Sequence, residues 1–374
     1  HIDKGDAVSF DDISFDPDDP QIGWIASGNG SPWKTDDGGA TWNTVTAGTS
    51  WKSVECAGGG SPIVWLAGFN SQPDRIGEVT DGAVPSIELH RDSEYGNDMP
   101  FYGVDCSSGT KVLAVGIGGQ VTFTTDGGTT WDHRAQTAPR DYLTAIQMVD
   151  FRTGYLCAGS GVHKTTNAGT SWAATPTPAG GTLYDLRFLD ANTGWAVGSS
   201  GRILKTTNGG TSWMAQTSGV TSTLYAVHFT DANRGWAAGD DGTLVWTTNG
   251  GSTWDSTTLG VNALLDIDFL DADHGAVVGR GGSVYVTSNG ATNGGTWAPG
   301  GPTGTGGTLD LEAVDYAAAN ALYIGGAERT IAAAGTATVL KSANGGAAWN
   351  LVPADLTKRD EFTSRGYVTN LAFS

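Results

Sequence analysis

Apolar and polar residues alternate with a period of two in a six-residue pattern that recurs along the chain. The copies are FDDISF (10–15), WKSVEC (51–56), FYGVDC (101–106), LTAIQM (143–148), LYDLRF (183–188), LYAVHF (224–229), LLDIDF (264–269), LEAVDY (311–316) and VTNLAF (368–373). This period is typical of strands with one buried face. The pattern therefore predicts a strand at each copy, repeated roughly every 40–57 residues.

A second motif keeps step with the first. It is rich in glycine, ends in tryptophan, and occurs as KTDDGGATW (34–42), TTDGGTTW (124–131), KTTNAGTSW (164–172), KTTNGGTSW (205–213), WTTNGGSTW (246–254), KSANGGAAW (341–349) and the longer VTSNGATNGGTW (286–297). A short apolar segment, such as GWAVGS at 194–199, lies between the two motifs. Each unit is thus predicted to contain strand A, a turn, strand B, a loop, strand C, a tight glycine turn and strand D.

Repeats of this length with four short strands predict a β-propeller. We expect one all-β propeller over residues 1–374, with eight four-stranded blades and seven as the alternative. The units begin near 9, 50, 100, 141, 181, 222, 262 and 309, and the second lacks the glycine–tryptophan motif. A strand at 367–374 would close the ring with the N-terminal strand. Because both are copies of strand A, one of them would become an added edge strand or pair with another subunit.

Composition narrows the functional classes. The net charge of −19 repels phosphate backbones, so nucleic acid is not an expected partner. No apolar run approaches the roughly 20 residues that a membrane span needs. The acidic, glycine- and tryptophan-rich composition fits a secreted or cell-envelope-exposed protein. Cys56 and Cys106 occupy the strand position that phenylalanine fills in other units, which indicates core packing for both thiols.

The pattern Ser/Thr-x-Asp/Asn-x-Gly-x-Thr/Ser-Trp resembles the Asp-box, or BNR, repeat. The run from 194 to 213 is similar to photosystem II assembly-factor-like and sortilin-like propellers. This resemblance implies a propeller in which the box residues are structural, since a short Asp or Asn side chain can hold the turn. They are Asp37, Trp42, Asp126, Trp131, Asn167, Trp172, Asn208, Trp213, Asn249, Trp254, Asn344 and Trp349. Such propellers include sialidases, xyloglucanases, receptors and assembly factors, so several functions remain open.

Enzymatic function is uncertain, and the sequence favours its absence. The Arg-Ile-Pro stretch of sialidases has only a partial counterpart at 75–77, which lacks the proline and follows the first box. A glycosidase needs two carboxylates about 5–10 Å apart. Acidic residues on the inner strands could line a central channel or could simply be the solvated polar positions of alternating strands: Asp12, Glu55, Asp105, Asp185, Asp268, Glu312 and Asp315.

The repeat is irregular at 69–100, 298–310, 326–338 and 353–366, in units that would flank the first one as a single sector. Elaborated loops on a rigid scaffold often bind partners. Repeat decay where the ring closes explains the irregularity equally well. The candidate binding residues of this sector are Arg75, His90, Arg91, Asp92, Glu94, Tyr95, Tyr102, Glu328, Arg329, Lys358, Arg359 and Arg365.

The favoured function is therefore a non-catalytic binding or assembly propeller whose partner is a protein or a surface polysaccharide. One alternative is a structural subunit of a surface lattice or filament, which self-assembles through the surplus terminal strand. A carbohydrate-active enzyme, a glycosidase or lyase with channel carboxylates, is the other. No cofactor or metal is expected, although Asp16, Asp18 and Asp19 could offer oxygen ligands to calcium.

Overall fold

The fold is seen in a computed structural model of the chain. It describes residues 10–16, 19–27, 31–45, 50–57, 63–69, 75–80, 86–91, 101–108, 110–116, 120–127, 129–134, 143–150, 152–167, 169, 171–300, 309–318, 321–328, 337–342 and 350–351.

The described strands form eight antiparallel sheets of four strands each, and every sheet is a simple meander in chain order. The first four sheets comprise β1 (Phe10–Phe15), β2 (Gly23–Ser27), β3 (Trp33–Thr35), β4 (Asn43–Thr44); β5 (Ser50–Ala57), β6 (Ile63–Phe69), β7 (Arg75–Thr80), β8 (Ser86–Arg91); β9 (Phe101–Ser108), β10 (Lys111–Gly116), β11 (Gln120–Thr124), β12 (Asp132–Arg134); and β13 (Leu143–Met148), β14 (Gly154–Ala158), β15 (Gly161–Thr165), β16 (Ala173–Ala174).

The last four sheets comprise β17 (Leu183–Phe188), β18 (Gly194–Gly198), β19 (Arg202–Thr206), β20 (Met214–Gln216); β21 (Leu224–Phe229), β22 (Gly235–Gly239), β23 (Thr243–Thr247), β24 (Asp255–Thr258); β25 (Leu264–Phe269), β26 (His274–Gly279), β27 (Ser283–Ser288), β28 (Ala298–Pro299); and β29 (Leu309–Ala318), β30 (Ala321–Glu328), β31 (Ala337–Ser342), β32 (Asn350–Leu351). Single 3-10 turns join the middle strands at Ser199–Gly201, Asp240–Gly242 and Arg280–Gly282.

Aromatic rings hold neighbouring sheets together. The ring that ends the first strand of one sheet stacks on a ring in the second strand of the preceding sheet. This contact joins Tyr155 to Phe188 at a centroid distance of 3.7 Å and Trp195 to Phe229 at 3.5 Å. Where the first strand ends in cysteine, a buried tryptophan of the preceding sheet packs in the same cluster, as Trp24 does with Cys56. Large and small side chains therefore alternate across these interfaces, as close packing requires.

The same contact links the eighth sheet to the first. The Tyr323 ring stacks on Phe15 at a centroid distance of 4.0 Å. The Tyr323 hydroxyl also donates a hydrogen bond to the Gly38 carbonyl. Each sheet thus contacts its neighbours in sequence, and the last contacts the first. The predicted all-β propeller arrangement is confirmed.

One feature differs from the sequence-based expectation, and one position that the sequence left open is now defined. Although the second unit lacks the glycine–tryptophan motif and segment 69–100 reads as irregular, that segment supplies β7 and β8 and so completes the second sheet. In addition, β1 is the first strand of its sheet, so the copy at 10–15 is not displaced. The strand predicted at 367–374 lies outside the described residues.

The first strand of every sheet carries a bulge at the second residue of its six-residue pattern, where the register with the next strand shifts. A bulge leaves one residue unpaired and re-aims its side chain. The bulge residues are Asp11, Lys52, Tyr102, Thr144, Tyr184, Tyr225, Leu265 and Glu312. Strict alternation, which predicted these strands, resumes only after the bulge.

All three cysteines are buried, in agreement with the core positions predicted for Cys56 and Cys106. Among the residues that the structure describes, no helix is long and apolar enough to traverse a bilayer.

Candidate functional site

An aspartate at the third position of the six-residue pattern connects neighbouring sheets through its side chain. Asp185 Oδ2 accepts a hydrogen bond from the Val227 amide of the next sheet at 2.8 Å. Asp266 Oδ2 accepts one from the Val314 amide, also at 2.8 Å. Asp12 accepts in the same way across the boundary between the first and second sheets. These carboxylates satisfy backbone donors of the facing strands, which would otherwise be buried without partners.

The fifth residue forms a second row of such contacts. Gln147 accepts from the Phe188 amide at 2.7 Å and donates to the Phe188 carbonyl at 3.0 Å. Asp268 Oδ2 accepts from the Tyr316 amide of the following sheet at 2.9 Å. Polar residues at the third and fifth positions therefore point toward the next sheet, while the apolar fourth and sixth positions face the preceding one.

Burial shifts the proton affinity of these acids. Asp185 is 1% exposed, and burial raises its pKa well above the usual range, although amide hydrogen bonds from Val227 and Leu186 oppose the shift. Burial also raises the pKa of Asp266, to about 7. The pKa of Asp315 is raised well above its usual range by burial and by the neighbouring carboxylates, Asp268 first among them. The first strands of the fifth, seventh and eighth sheets thus carry acids that resist ionisation.

One ionised carboxylate lies among them, and it is paired with a histidine. His228 Nδ1 lies 3.2 Å from Asp268 Oδ1. Burial lowers the pKa of His228, which favours a neutral ring that donates from Nδ1. For Asp268, burial opposes ionisation, but the hydrogen bonds from His228 and Tyr316 and the charge of Arg187 hold its pKa below the usual range. Burial also lowers the pKa of Arg187. A charged aspartate and a neutral histidine therefore join the sixth and seventh sheets.

We predict that Asp266→Asn changes how stability depends on pH. The pKa of Asp266 in the folded protein, about 7, exceeds the ordinary 3.8, so its favourable contribution is complete below pH 3.8 and is lost as the pH rises through about 7. The unfolding free energy of the native protein minus that of the variant should therefore fall from acidic to neutral pH, as measured by urea unfolding. Asp255→Asn, at an exposed position, serves as control. Parallel pH curves for the native protein and Asp266→Asn would contradict the prediction.

The structure also separates the seven predicted channel acids. Asp12, Asp185 and Asp268 form the inter-sheet contacts above. Asp315 is the half-buried acid whose pKa Asp268 helps to raise, and Glu312 is exposed. The side chains of Glu55 and Asp105 are not described. The carboxylates that accept backbone amides therefore have a structural role at the sheet boundaries.

Sequence reasoning missed three residues of this cluster: Asp266, Arg187 and His228. Asp266 falls on the same repeat position as Asp185, so aligning the repeats would have identified it. Arg187 and His228 occupy the fifth position together with Asp268. Alternation alone could not show that these positions meet across sheet boundaries.

The Asp-box side chains bind their own turns. Asn208 accepts hydrogen bonds from the Thr206 hydroxyl and the Ser212 amide, each at 3.0 Å, and donates to the Ser212 hydroxyl at 2.9 Å. Asp126 makes the equivalent contacts with Thr124 and Thr130. The same arrangement occurs at Asp37, Asn167, Asn249 and, in the longer copy, Asn289. Asn344 and Trp349 lie outside the described residues.

The box tryptophans pack at the sheet interfaces. Trp213 contacts Phe188 edge-on at 5.8 Å, and its indole donates to the Thr175 hydroxyl of the preceding sheet at 3.0 Å. Trp42 and Trp254 likewise contact edge-on the phenylalanine that ends the first strand of their own sheet. Trp131 contacts Trp65 of the preceding sheet edge-on, and Trp172 is buried in a core cluster. The turn motif is thereby coupled to the inter-sheet core.

We predict that Asn208→Ala lowers the free energy of unfolding by about 1 kcal/mol, because the turn loses its side-chain acceptor. Asn208→Asp should change it by less than about 0.5 kcal/mol, because Asp126 holds the equivalent turn through the same atoms. Urea unfolding measures both. Equal losses for the two substitutions would show that the acceptor oxygen is not what stabilises this turn.

The structure places part of the predicted binding sector. β7 pairs with β8 so that Arg75 lies opposite Arg91 and Ile76 opposite His90, which puts three predicted residues at one end of the outer strands of the second sheet. Tyr102 is the bulge residue of β9, and Glu328 ends β30. Their side chains are not described, and the other predicted residues lie outside the described ranges: Asp92, Glu94, Tyr95, Arg329, Lys358, Arg359 and Arg365.

Asp16 and Asp19, two of the predicted calcium ligands, form a turn. Asp16 accepts a hydrogen bond from the Asp19 amide at 3.3 Å, and Asp19 accepts one from Gln21 at 3.0 Å. Asp18 lies outside the described residues. Within the described part of the chain, no three potential metal ligands come together. The calcium site stays a prediction.

Residues 163–262 match the family model described as photosynthesis system II assembly factor YCF48. The resemblance predicted from the Asp-box motifs is confirmed. The matched stretch runs from β15 to the turn before β25, in the regular part of the repeat. No curated protein sequence matches the chain.

Solved structures with the same fold extend over most of the chain. YCF48 from Cyanidioschyzon merolae superposes with a TM-score of 0.58 at 19% identity, covering 78% of this chain and 98% of that one. YCF48 bound to D1 peptide gives 0.52 at 16% identity, with coverages of 67% and 80%. The C-terminal WD40 domain of Sif2 gives 0.55 at 10% identity, with coverages of 89% and 82%. At these identities the structural matches show the propeller fold.

Proposed function

We propose that this chain is a non-catalytic binding or assembly propeller whose eight sheets are the blades of one closed ring spanning residues 1–374. The contact of Tyr323 with Phe15 supports the closure, because it repeats at the eighth boundary the stacking found between earlier sheets. Such a ring presents loops from a rigid scaffold, which suits recognition of a partner.

The observation that carries this proposal is the engagement of the inner carboxylates. Asp12, Asp185, Asp266 and Asp268 each accept a backbone amide of the next sheet. They stabilise contacts between sheets, which favours a binding role for this chain over hydrolysis. A solved structure of the same fold is described as YCF48 bound to D1 peptide, which supports a protein segment as the partner class here.

The sector around the first sheet is the proposed contact region. It includes Arg75, His90 and Arg91, which the pairing of β7 and β8 places at one end of the second sheet. Basic residues gathered at one place on a chain of net charge −19 would favour an acidic segment of the partner. The strongly acidic composition supports a location outside the cytoplasm, in secreted or envelope-exposed form.

Two measurements on the pure full-length chain test this function. An array of peptides of varied charge should retain the chain, and incubation with a polysaccharide panel should release no new sugar ends. Arg91→Ala should weaken retention on acidic peptides, whereas Arg152→Ala, at an exposed turn position in the fourth sheet, should not. Release of sugar ends, or the absence of any retained peptide, would overturn the proposal.

A further inference from the structure

Two tyrosines meet at the inner edge of the ring. Tyr184 and Tyr225 are the bulge residues of β17 and β21, so the bulge turns both away from the strand's alternation. Their rings contact each other edge-on at a centroid distance of 5.3 Å and an angle of 64°. Both side chains are only partly buried. The first strands start beside the turns that join second and third strands, which places this aromatic pair next to those turns.

The turn beside Tyr225 is acidic. The Tyr225 hydroxyl donates to Asp240 Oδ2 at 3.0 Å. Asp240 begins the turn Asp240–Gly242, and Asp241, which follows it, is exposed with a left-handed φ of 57°. At the equivalent turn in the fifth sheet the residues are Ser199 and Ser200, so the carboxylates belong to this turn of the repeat and are not a general feature.

These carboxylates lack a basic partner within the described part of the chain. Among the described residues, no Lys, Arg or His side chain forms an ion pair with Asp240 or Asp241. On the fifth sheet, Arg202, which follows the equivalent turn, directs its guanidinium to the carbonyls of Ser160, Pro178 and Gly181. The carboxylates of Asp240 and Asp241, beside the tyrosine rings, therefore have no ion pair with a described side chain and can accept one from a binding partner.

We propose that Tyr184, Tyr225, Asp240 and Asp241, together called the aromatic–acidic rim, bind an arginine- or lysine-bearing segment of a protein partner. The Tyr184 ring offers a face to the cation, Tyr225 holds Asp240 in place, and the carboxylates offer charge-assisted acceptors. The net charge of −19 attracts such a segment over longer range. The inference rests on the proposed binding role and adds a second contact, on the fifth and sixth sheets.

Fluorescence anisotropy with three labelled peptides tests the rim. The peptides share a short Gly/Ser backbone and carry arginine, its neutral analogue citrulline, or glutamate. The arginine peptide should bind the full-length chain most tightly, and citrulline should weaken binding about tenfold or more. Binding of the arginine peptide should also weaken as salt increases. Equal binding of the arginine and citrulline peptides would overturn the proposal.

Matched variants locate the contact. Asp241→Asn should weaken arginine-peptide binding about fivefold. Asp255→Asn, which removes one charge from the exposed outer strand of the same sheet, should leave it nearly unchanged. Tyr184→Ala should weaken binding and Tyr184→Phe should preserve it, because the ring is retained. Equal effects of Asp241→Asn and Asp255→Asn would mean unlocalised charge attraction and would overturn the proposed rim.

The outcomes separate this inference from the general binding role. If the arginine peptide fails to bind while other arrayed peptides are retained, the rim is wrong and the binding function stands. If no peptide is retained at all, both proposals fail. Asp241→Asn keeps the result interpretable even if the tyrosine variants unfold, because Asn tolerates a left-handed backbone at an exposed position.

Discussion

Replacing Trp195 with alanine is expected to lower the free energy of unfolding by about 3–5 kcal/mol. Trp195 is fully buried, and its ring stacks on Phe229 of the next sheet at 3.5 Å with an interplanar angle of 11°. The Lys205 ammonium lies over the same ring, with Nζ 5.0 Å from its centroid. Alanine would leave a cavity between two sheets and would remove both contacts. Urea-induced unfolding measures this loss of stability. It is followed by far-ultraviolet circular dichroism, because that signal comes mainly from the backbone and not from the removed indole.

Two further variants control this measurement. Met214→Ala, at a side chain that is 58% exposed, should change stability by no more than about 0.5 kcal/mol. Trp195→Phe keeps a ring against Phe229 and should cost less than the alanine substitution. If Trp195→Ala and Met214→Ala proved equally mild, inter-sheet stacking could not be the interaction that holds these sheets together.

A second large effect is expected at Gly201, in the turn between β18 and β19. Its φ is +68°, and an added Cβ would lie 2.0 Å from the Val220 carbonyl oxygen. Gly219 has a similar φ of +77°, but a Cβ added there would meet nothing within 4 Å. Alanine at either site incurs a left-handed penalty of about 1–2 kcal/mol. Gly201→Ala should lower the free energy of unfolding by about 1–3 kcal/mol more than Gly219→Ala, because the backbone of the adjoining loop must move.

Thermal unfolding of the two alanine variants checks the difference directly. Since both sites share the backbone penalty, the comparison isolates the close approach of the Val220 loop to Gly201. Melting temperatures that fall by the same amount would show that this loop yields at little cost.

The sequence was sufficient for the architecture because each unit repeats the same two patterns. Alternation defined the first strand, and the glycine–tryptophan motif defined the turn between the third and fourth. The second unit shows the limit of this reasoning: its motif is lost, yet β7 and β8 still form, because pairing with β6 satisfies their backbone groups.

The polar contacts were harder to predict. Alternation shows that Asp266 and Ala313 share a repeat position, but not that Asp266 reaches the amide of Val314. That contact depends on how far one sheet is staggered against the next. The bulges were equally invisible, since Tyr184 and Tyr225 read as ordinary members of an alternating strand. The aromatic–acidic rim follows from this local irregularity.

The Tyr323–Phe15 contact also bears on how the chain reaches its fold. The Tyr323 hydroxyl and the Gly38 carbonyl that it binds are separated by 285 residues. Joining such distant segments has an entropic cost that the local meanders do not share, and non-local contacts of this kind slow folding. During synthesis, the face of the first sheet around Phe15 stays uncovered until Tyr323 has left the ribosome. The last boundary to form is therefore an exposed apolar surface for most of translation, and chaperones would be expected to act there.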